Sequence, residues 1–336
     1  MPLPADLLAT VLTSPPAEAW GRIADHLWAE FHAPISGAVD AVVVRRDRSL
    51  TELDNVLSGT AWDLWDTFEE VVPRSSKALI EFWGRVSAGK AVLILDGLSL
   101  RETPWLLLGA QERGYTIHQS SALGSELPAE TTAFANALGF SQRSALENNG
   151  ASSTHKLPGA ATESCDLPFA DCVNRVGSQP GFVFWHHWPD VQMHHLAGPG
   201  LAVGKLAKET HASLMSDDFW SFVERLTTGR RLVITGDHGS DLLICRILMW
   251  GQVGRFGLTG DRVDESQIGD GIGELGRVEM FQQMSDCAVG PRVRHRMDVH
   301  TQDPLLQIGH QVGLRAKQIA QQAAGIVCPG QFLTHD

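Results

Sequence analysis

The chain has 336 residues, of which 43% are hydrophobic and 20% charged, so it can bury a large core. Its formal net charge of −12 disfavours general adhesion to nucleic acid or to anionic lipid. No apolar run approaches the length of a membrane span, and residues 1–6 lack the basic and then apolar plan of a signal peptide. We therefore expect a globular protein with no membrane partner and a cytoplasmic location.

The predicted elements change character near residue 90. Helical patterns at residues 17–31 and 75–86 predict a helical accessory segment over residues 1–90. From residue 91 to 336, alternating strands and helices predict an α/β fold with a mainly parallel sheet flanked by helices. Strands are expected at residues 91–95, 115–119, 182–185 and 232–235, and helices at residues 102–113, 131–138 and 217–227.

The stretch at residues 141–180 is rich in Ser, Asn, Gly and Pro, which predicts a flexible lid or a poorly ordered insertion. It contains two of the five cysteines of the chain. Because the cysteines are odd in number, scattered and without a close Cys-x-x-Cys pair, we expect reduced and mostly structural thiols. These are Cys165, Cys172, Cys245, Cys287 and Cys328.

The segment at residues 232–239 reads Leu-Val-Ile-Thr-Gly-Asp-His-Gly and joins a short apolar strand to two polar residues. Gly236 and Gly239 allow the backbone to turn tightly around them. Asp237 and His238 would then lie at the carboxyl end of a strand, where open α/β sheets place their ligand sites. The alternative is that both residues occupy an ordinary surface turn.

Two other predicted strands end in the same way. The apolar run at residues 91–95 leads to Asp96, and the run at residues 181–185 leads through two histidines to Asp190 and His194. On a helical turn, Asp190 and His194 share one face and could hold a single ion. Each aspartate could instead be a helix N-cap.

The three strand-end acids are difficult to explain as caps alone. Carboxylates that are brought together repel one another unless a cation separates them. A mixed set of oxygen and nitrogen ligands suits zinc or manganese. The sequence therefore predicts a divalent metal centre, and two ions are expected.

In chain order, the motifs are Asp96-Gly97, then Pro189-Asp190 with His194 and the pair Gly198-Pro199, then residues 235–239. This order resembles that of the alkaline phosphatase superfamily, and within it PglZ-type domains most closely. In those domains a strand-ending Asp is followed by a small residue and a basic-acidic pair, as at residues 96–102. The resemblance runs from about residue 91 to the C-terminus and leaves the first ninety residues unaccounted for.

The resemblance implies an alkaline phosphatase-like fold with two divalent ions, zinc or manganese. One ion would be held by a nucleophilic hydroxyl together with Asp96, Asp237 and His238. The other would be held by Asp190, His194 and a later histidine.

The nucleophile is expected between Asp96 and Asp190, in a loop that opens a helix, because a helix N-terminus stabilises an attacking oxyanion and phosphate. Residues 125–134 fit this description. PglZ-like sequences often place a Thr three positions after a Pro, which implies Thr131. Thr132 and Ser125 remain alternatives, and the threonines could simply begin a helix.

The remaining ligand of the second ion is expected near the C-terminus. Residues 333–335 resemble the Leu-Thr-His that ends many PglZ-like domains, which implies His335. His295 lies among arginines whose positive charge would oppose a nearby cation. Other histidines that follow Asp237 are His300 and His310.

Arginines are the expected ligands of the phosphate, because a guanidinium group can give paired hydrogen bonds to two of its oxygens. Arg101 follows the first metal-binding motif and is the first candidate. A solvated charged face is the alternative for any one of them. The other candidates are Arg292, Arg294 and Arg296.

The resemblance implies a metal-dependent hydrolase of phosphate esters, either a phosphatase or a phosphodiesterase, with a Thr or Ser nucleophile. An alternative is a non-catalytic or weakly catalytic PglZ-like component of a bacterial phage-defence assembly. A phosphomutase or a sulfatase is a third interpretation. The implied partners are a phosphoester substrate and, through the N-terminal segment, nucleic acid or defence-system proteins.

Overall fold

The apolar run after residue 90 forms a central strand of a six-stranded sheet in the computed structural model, which describes residues 3–86, 88–146, 155–192, 203–239 and 243–250. The order across the sheet is β2-β6-β5-β1-β4-β3. The strands are β1 Lys90–Asp96, β2 Thr116–Gly124, β3 Ala161–Cys165, β4 Gly181–Pro189, β5 Arg231–Gly236 and β6 Leu243–Trp250.

Both neighbours of β1 pair with it in parallel. β5 lies on one side and β4 on the other, and β3 continues in parallel beyond β4. β6 runs antiparallel to both β5 and β2. All residues of β1 from Ala91 to Asp96 are buried, as expected for a parallel strand covered on both faces. The predicted α/β fold, with a mostly parallel sheet flanked by helices, is confirmed.

Helices occupy most of the first ninety residues and alternate with strands afterwards. None of the described helices is both long enough and apolar enough to span a bilayer. Short 3-10 helices lie at Leu100–Glu102, Arg143–Leu146 and Val173–Arg175. The α-helices are Ala5–Thr13, Pro16–His32, Val39–Thr60, Trp62–Trp65, Phe68–Val71, Ser75–Arg85, Thr103–Glu112, Thr131–Ala137, Phe169–Cys172, Val203–Leu214 and Asp217–Thr227.

The first ninety residues are helical, as predicted, and their apolar side chains share a core with the sheet. The indole ring of Trp20 packs edge-on against Phe68, with centroids 4.9 Å apart, and its Nε1 donates a hydrogen bond to the Leu64 carbonyl at 3.0 Å. The same buried cluster extends to Leu93 and Leu95 of β1. A domain boundary near residue 90 stays a prediction.

The stretch predicted as a lid contains regular structure where it is described. Residues 161–165 form β3, the edge strand beside β4. A 3-10 helix begins at Arg143, and the helix Phe169–Cys172 follows β3. The expectation of a flexible lid was therefore wrong for residues 155–180, because alternate β3 side chains are buried against the sheet. Residues 147–154 lie outside the described part of the chain.

The pairing of β1 with β4 is irregular at the carboxyl end. Leu95 lies opposite His186, but Asp96 lies opposite Pro189, so β4 carries two additional residues there. His186 is buried and makes two hydrogen bonds. Its Nε2 donates to the Leu167 carbonyl at 2.8 Å, and its Nδ1 accepts from the Trp188 backbone N–H at 3.0 Å. These bonds select the neutral tautomer with the proton on Nε2.

Candidate metal centre

The three predicted acidic residues lie together at the carboxyl ends of three neighbouring strands. Asp96 is the last residue of the central strand β1. Asp190 directly follows β4, and Asp237 directly follows β5. Because β4 and β5 are the two parallel neighbours of β1, their carboxyl ends bring these residues together.

Two glycines allow the strand ends to approach closely. Gly97 adopts a φ of 76°, in the left-handed region, and its backbone N–H donates a hydrogen bond to Asp237 Oδ1 at 3.0 Å. Gly236 passes so near the backbone of Leu98 that a β-carbon at this position would collide with the Leu98 carbonyl oxygen. The loops after β1 and β5 are therefore fitted against each other.

Asp96, Asp190 and His238 each offer a ligand atom, and all three atoms lie within 4.8 Å of one another. His238 Nε2 lies 3.0 Å from Asp96 Oδ1 and 3.7 Å from Asp237 Oδ2. Asp96 and Asp237 are fully buried, whereas Asp190 and His238 are half-buried. The described residues therefore form one acidic cluster with an imidazole inside it.

This cluster needs positive charge. A buried carboxylate is costly unless a cation or hydrogen bonds stabilise it. Asp237 Oδ2 is buried and accepts no hydrogen bond from the described residues. The guanidinium group of Arg143 contacts Asp96 Oδ2. The set of carboxylate oxygens and one imidazole nitrogen, with an orphaned buried oxygen beside it, fits a divalent cation such as zinc or manganese.

The structure brings one candidate nucleophile to this cluster. Thr131 is the first residue of the helix Thr131–Ala137, and its Oγ1 donates a hydrogen bond to Asp96 Oδ1 at 3.3 Å. The neighbouring Thr132 is exposed. Ser125 is fully buried, and its hydroxyl makes no hydrogen bond with the described residues. Of the three candidates, Thr131 is the one whose hydroxyl contacts a carboxylate of the cluster.

The arginine at the cluster is Arg143, which the sequence interpretation missed. Arg101 instead forms an ion pair with Asp47 of the helix Val39–Thr60, with Nε 2.6 Å from Oδ1. The adjacent Glu102 forms a capping box with Ser99, and burial raises the pKa of the Glu102 carboxyl. No local signal could have selected Arg143, since it meets Asp96 only through the folding of the intervening chain.

The side chains of the cluster are not grouped as the two expected metal sites require. The sequence assigns Asp190 to one ion and Asp96 and His238 to the other, yet the ligand atoms of all three residues lie together. Asp190–Gln192 are helical, as expected for an Asp at the start of a turn. The remaining predicted ligands, His194 and His335, lie outside the described residues, as do the candidates His295, His300, His310, Arg292, Arg294 and Arg296.

No protein-family model matches this chain, and no curated protein has significant sequence similarity to it. The resemblance to the alkaline phosphatase superfamily therefore stays a prediction.

Proposed function

We propose that this protein is a metal-dependent hydrolase of phosphate esters with an alkaline phosphatase-like, PglZ-type domain. One observation carries the proposal: the Thr131 hydroxyl donates a hydrogen bond to Asp96, a buried carboxylate that shares a cluster with Asp190 and His238. A hydroxyl, two carboxylates and an imidazole at the end of a parallel sheet are suited to nucleophilic attack on phosphorus.

Asp96, Asp190 and His238 would hold the metal ion, with Asp237 beside them. A bound zinc or manganese ion would lower the pKa of a nearby hydroxyl and offset the negative charge of the phosphate. Asp237 also accepts the Gly97 N–H, which fixes its carboxylate with Oδ2 available on the other side. The second ion expected from the sequence remains part of the proposal, with Asp190, His194 and His335 as its ligands, so that Asp190 would be shared by the two ions.

The protein residues support a reaction in two steps. Thr131 Oγ attacks phosphorus while Asp96 Oδ1 is placed to accept the hydroxyl proton; the bond to the leaving oxygen breaks, and that oxygen takes up this proton and leaves as the alcohol. Water then attacks the phosphothreonine ester, which releases phosphate and restores the Thr131 hydroxyl. The sum of the two steps is an ester plus water giving an alcohol and phosphate.

Arg143 is the residue that we assign to the substrate. Its side chain is partly exposed, with 26% of its surface accessible, and its guanidinium group lies at Asp96. From that position it can give paired hydrogen bonds to two non-bridging phosphate oxygens once a metal ion neutralises Asp96. Arg101 is engaged with Asp47 and is the weaker candidate.

The test is hydrolysis of an aryl phosphate monoester and a diester by chelator-treated protein, before and after addition of zinc or manganese. The matched variant is Asp237→Asn, which can still accept the Gly97 N–H but loses its charge. Because removal of even an indirect metal contact costs about 10- to 100-fold, we expect this variant to lose at least that much activity. Asp217→Asn is the control, because the Asp217 carboxylate is 99% exposed and pairs with Arg113 instead of the cluster.

Turnover that returns with metal in the unmodified protein and in Asp217→Asn, but not in Asp237→Asn, would support the proposal. Activity that is unchanged in Asp237→Asn would contradict the metal assignment. If neither ion gives turnover with either ester, the proposal fails, and the alternative of a non-catalytic component of a defence assembly would be preferred.

A further inference from the structure

Two cysteines lie together beside the strand that leads to Asp190. Cys165 is the last residue of β3, and Cys172 ends the short helix Phe169–Cys172. Their sulfur atoms are 3.7 Å apart, and both thiols are free. A disulfide requires a separation of about 2.05 Å, so the sulfurs are already in hydrogen-bond contact and need only a small approach.

The two thiols have different environments. Cys165 is half-buried, whereas Cys172 is fully buried and its Sγ also contacts the Leu167 carbonyl at 3.5 Å. The hydrogen-bond contact between the two sulfurs lowers the pKa of the Cys165 thiol, and the same contact together with burial raises the pKa of Cys172. Cys165 is therefore the more accessible thiol and the one that ionises first, which suits it for attack on an oxidant.

We infer that Cys165 and Cys172 form a dithiol site that hydroperoxides convert into an intramolecular disulfide, and that this oxidation perturbs the end of β4 before Asp190. The Cys165 thiolate attacks hydrogen peroxide and becomes a sulfenic acid, with release of hydroxide. The Cys172 thiol then displaces water from that sulfur and closes the disulfide. Overall, two thiols and one peroxide give one disulfide and two waters, and a thiol reductant reverses the oxidation.

The connection to β4 passes through the residues between the two cysteines. The Leu167 carbonyl accepts hydrogen bonds from both Cys172 Sγ and His186 Nε2. The Phe169 ring packs on His186, with centroids 4.7 Å apart, and edge-on against Trp188 at 5.4 Å. Closing the disulfide pulls on this short loop and removes the Cys172 S–H donor. Movement of Leu167 or Phe169 is thereby transmitted to the residues that precede Asp190.

The first test maps the oxidation chemically. The full-length protein is treated with hydrogen peroxide, its remaining thiols are alkylated, and the digest is analysed by mass spectrometry. We expect a peptide linking Cys165 to Cys172, abolished by dithiothreitol. In Cys172→Ser, we expect the reaction to stop at a Cys165 sulfenic acid that dimedone traps, and in Cys165→Ser we expect neither product. Absence of the link, or a link from either cysteine to another one, would overturn the inference.

The second test measures the coupling to β4 by hydrogen–deuterium exchange, which does not require metal or activity. We expect oxidation to accelerate exchange in the peptide that contains the Trp188 amide by roughly tenfold, equivalent to about 1.4 kcal/mol of lost protection. Cys165→Ser treated with peroxide should show no change. A disulfide that forms without altering this exchange would overturn the coupling. Because neither readout depends on hydrolysis, failure here is distinguishable from failure of the proposed function.

Discussion

Asp96 is contacted by three side chains at the candidate centre. Its Oδ1 accepts the Thr131 hydroxyl and lies near His238 Nε2, while Oδ2 meets the Arg143 guanidinium. All of this occurs at a fully buried residue, where unscreened charges interact strongly. Changes to the groups around Asp96 should therefore have large and separable effects.

We expect Thr131→Ala to lower kcat by about three orders of magnitude or more, because removing a nucleophile abolishes the covalent route. Thr131→Ser keeps a hydroxyl and should retain measurable turnover. Thr132→Ala is the matched control, since Thr132 is the exposed neighbour in the same helix. The measurements are steady-state kinetics and mass spectrometry of acid-quenched enzyme, where a phosphoryl adduct on the peptide containing Thr131 is expected. An adduct on a different peptide would contradict the assignment.

Arg143→Met should change two quantities in opposite directions. Loss of a charge-assisted contact to the phosphate, worth about 1.5–3 kcal/mol, should raise KM roughly 10- to 100-fold. Loss of the guanidinium that competes for Asp96 should tighten metal binding, as measured by titration with manganese and calorimetry. Arg101→Met is the comparison, because Arg101 pairs with Asp47 and should change neither quantity strongly. Weaker metal binding in Arg143→Met would contradict the competition.

At the scale of elements, the centre depends on the ends of β1, β4 and β5. Parallel pairing on both sides of β1 fixes these three ends relative to one another. The loops that follow are positioned by close backbone contacts rather than by long side chains, as at Gly236. The relative positions of Asp96, Asp190 and Asp237 therefore follow from the pairing of these strands.

Gly236→Ala should destabilise the protein and displace the loop that follows β5. Its β-carbon would collide with the Leu98 carbonyl oxygen, so we expect a loss of about 1–3 kcal/mol in the free energy of unfolding, typical of overpacking. Metal affinity should fall as well, because Asp237 is displaced. Gly84→Ala is the control, since a β-carbon there meets nothing within 4 Å, and it should be neutral or stabilise the protein by about 0.5–1 kcal/mol. Urea unfolding and metal titration of both variants distinguish the two cases.

Sequence reasoning identified the elements that carry a strong local signal. β1, β4 and β5 each contain a short apolar run, and an acidic residue ends or directly follows each strand, so both the strands and these carboxylates were predictable. The bounds of the helix Asp217–Thr227 agree with the predicted ones, and in the structure the Ser216 side chain caps its first turn. Because parallel strands end on the same side of a sheet, Asp96, Asp190 and Asp237 were expected to lie close together.

The remaining features depend on contacts between distant parts of the chain. β3 is short and polar in sequence, and it became a strand by pairing with β4. β6 lies between β2 and β5, an order that no local pattern encodes. Arg143 was missed for the same reason, since its contact with Asp96 exists only in the folded protein.

At the scale of the whole molecule, helices of the first ninety residues and the sheet contribute to one continuous hydrophobic cluster. Leu27 and Trp65 belong to it, as do Leu95 and Phe184. Global unfolding therefore exposes both regions, and a buried group in the sheet should report on the stability of this shared core. His186 is such a group.

Burial lowers the pKa of His186 to about 4, whereas an unfolded histidine titrates near 6.5. Between these values the unfolded chain binds a proton that the native protein does not, so the free energy of unfolding falls as the pH is lowered from about 6.5 towards 4. The shift corresponds to about 3 kcal/mol at most. Urea unfolding should show about 2 kcal/mol of this loss between pH 7 and pH 5, and His186→Gln should reduce it.

His118→Gln on β2 is the control for that experiment, because His118 is exposed. The loss of stability between pH 7 and pH 5 should be smaller in His186→Gln than in His118→Gln. If His186→Gln keeps the full dependence, other groups are responsible and the neutral tautomer assigned to His186 is wrong.

The irregular pairing at the end of β4 has a consequence for sequence length. Between His186 and Pro189, β4 carries two residues that have no counterpart on β1. Side chains alternate between the two faces of a strand, so adding or removing a single residue here would turn the following backbone over and direct Asp190 away from Asp96. Variation among natural versions of this segment should therefore consist of replacements, and single-residue insertions or deletions between His186 and Asp190 should be absent from versions that keep the metal centre.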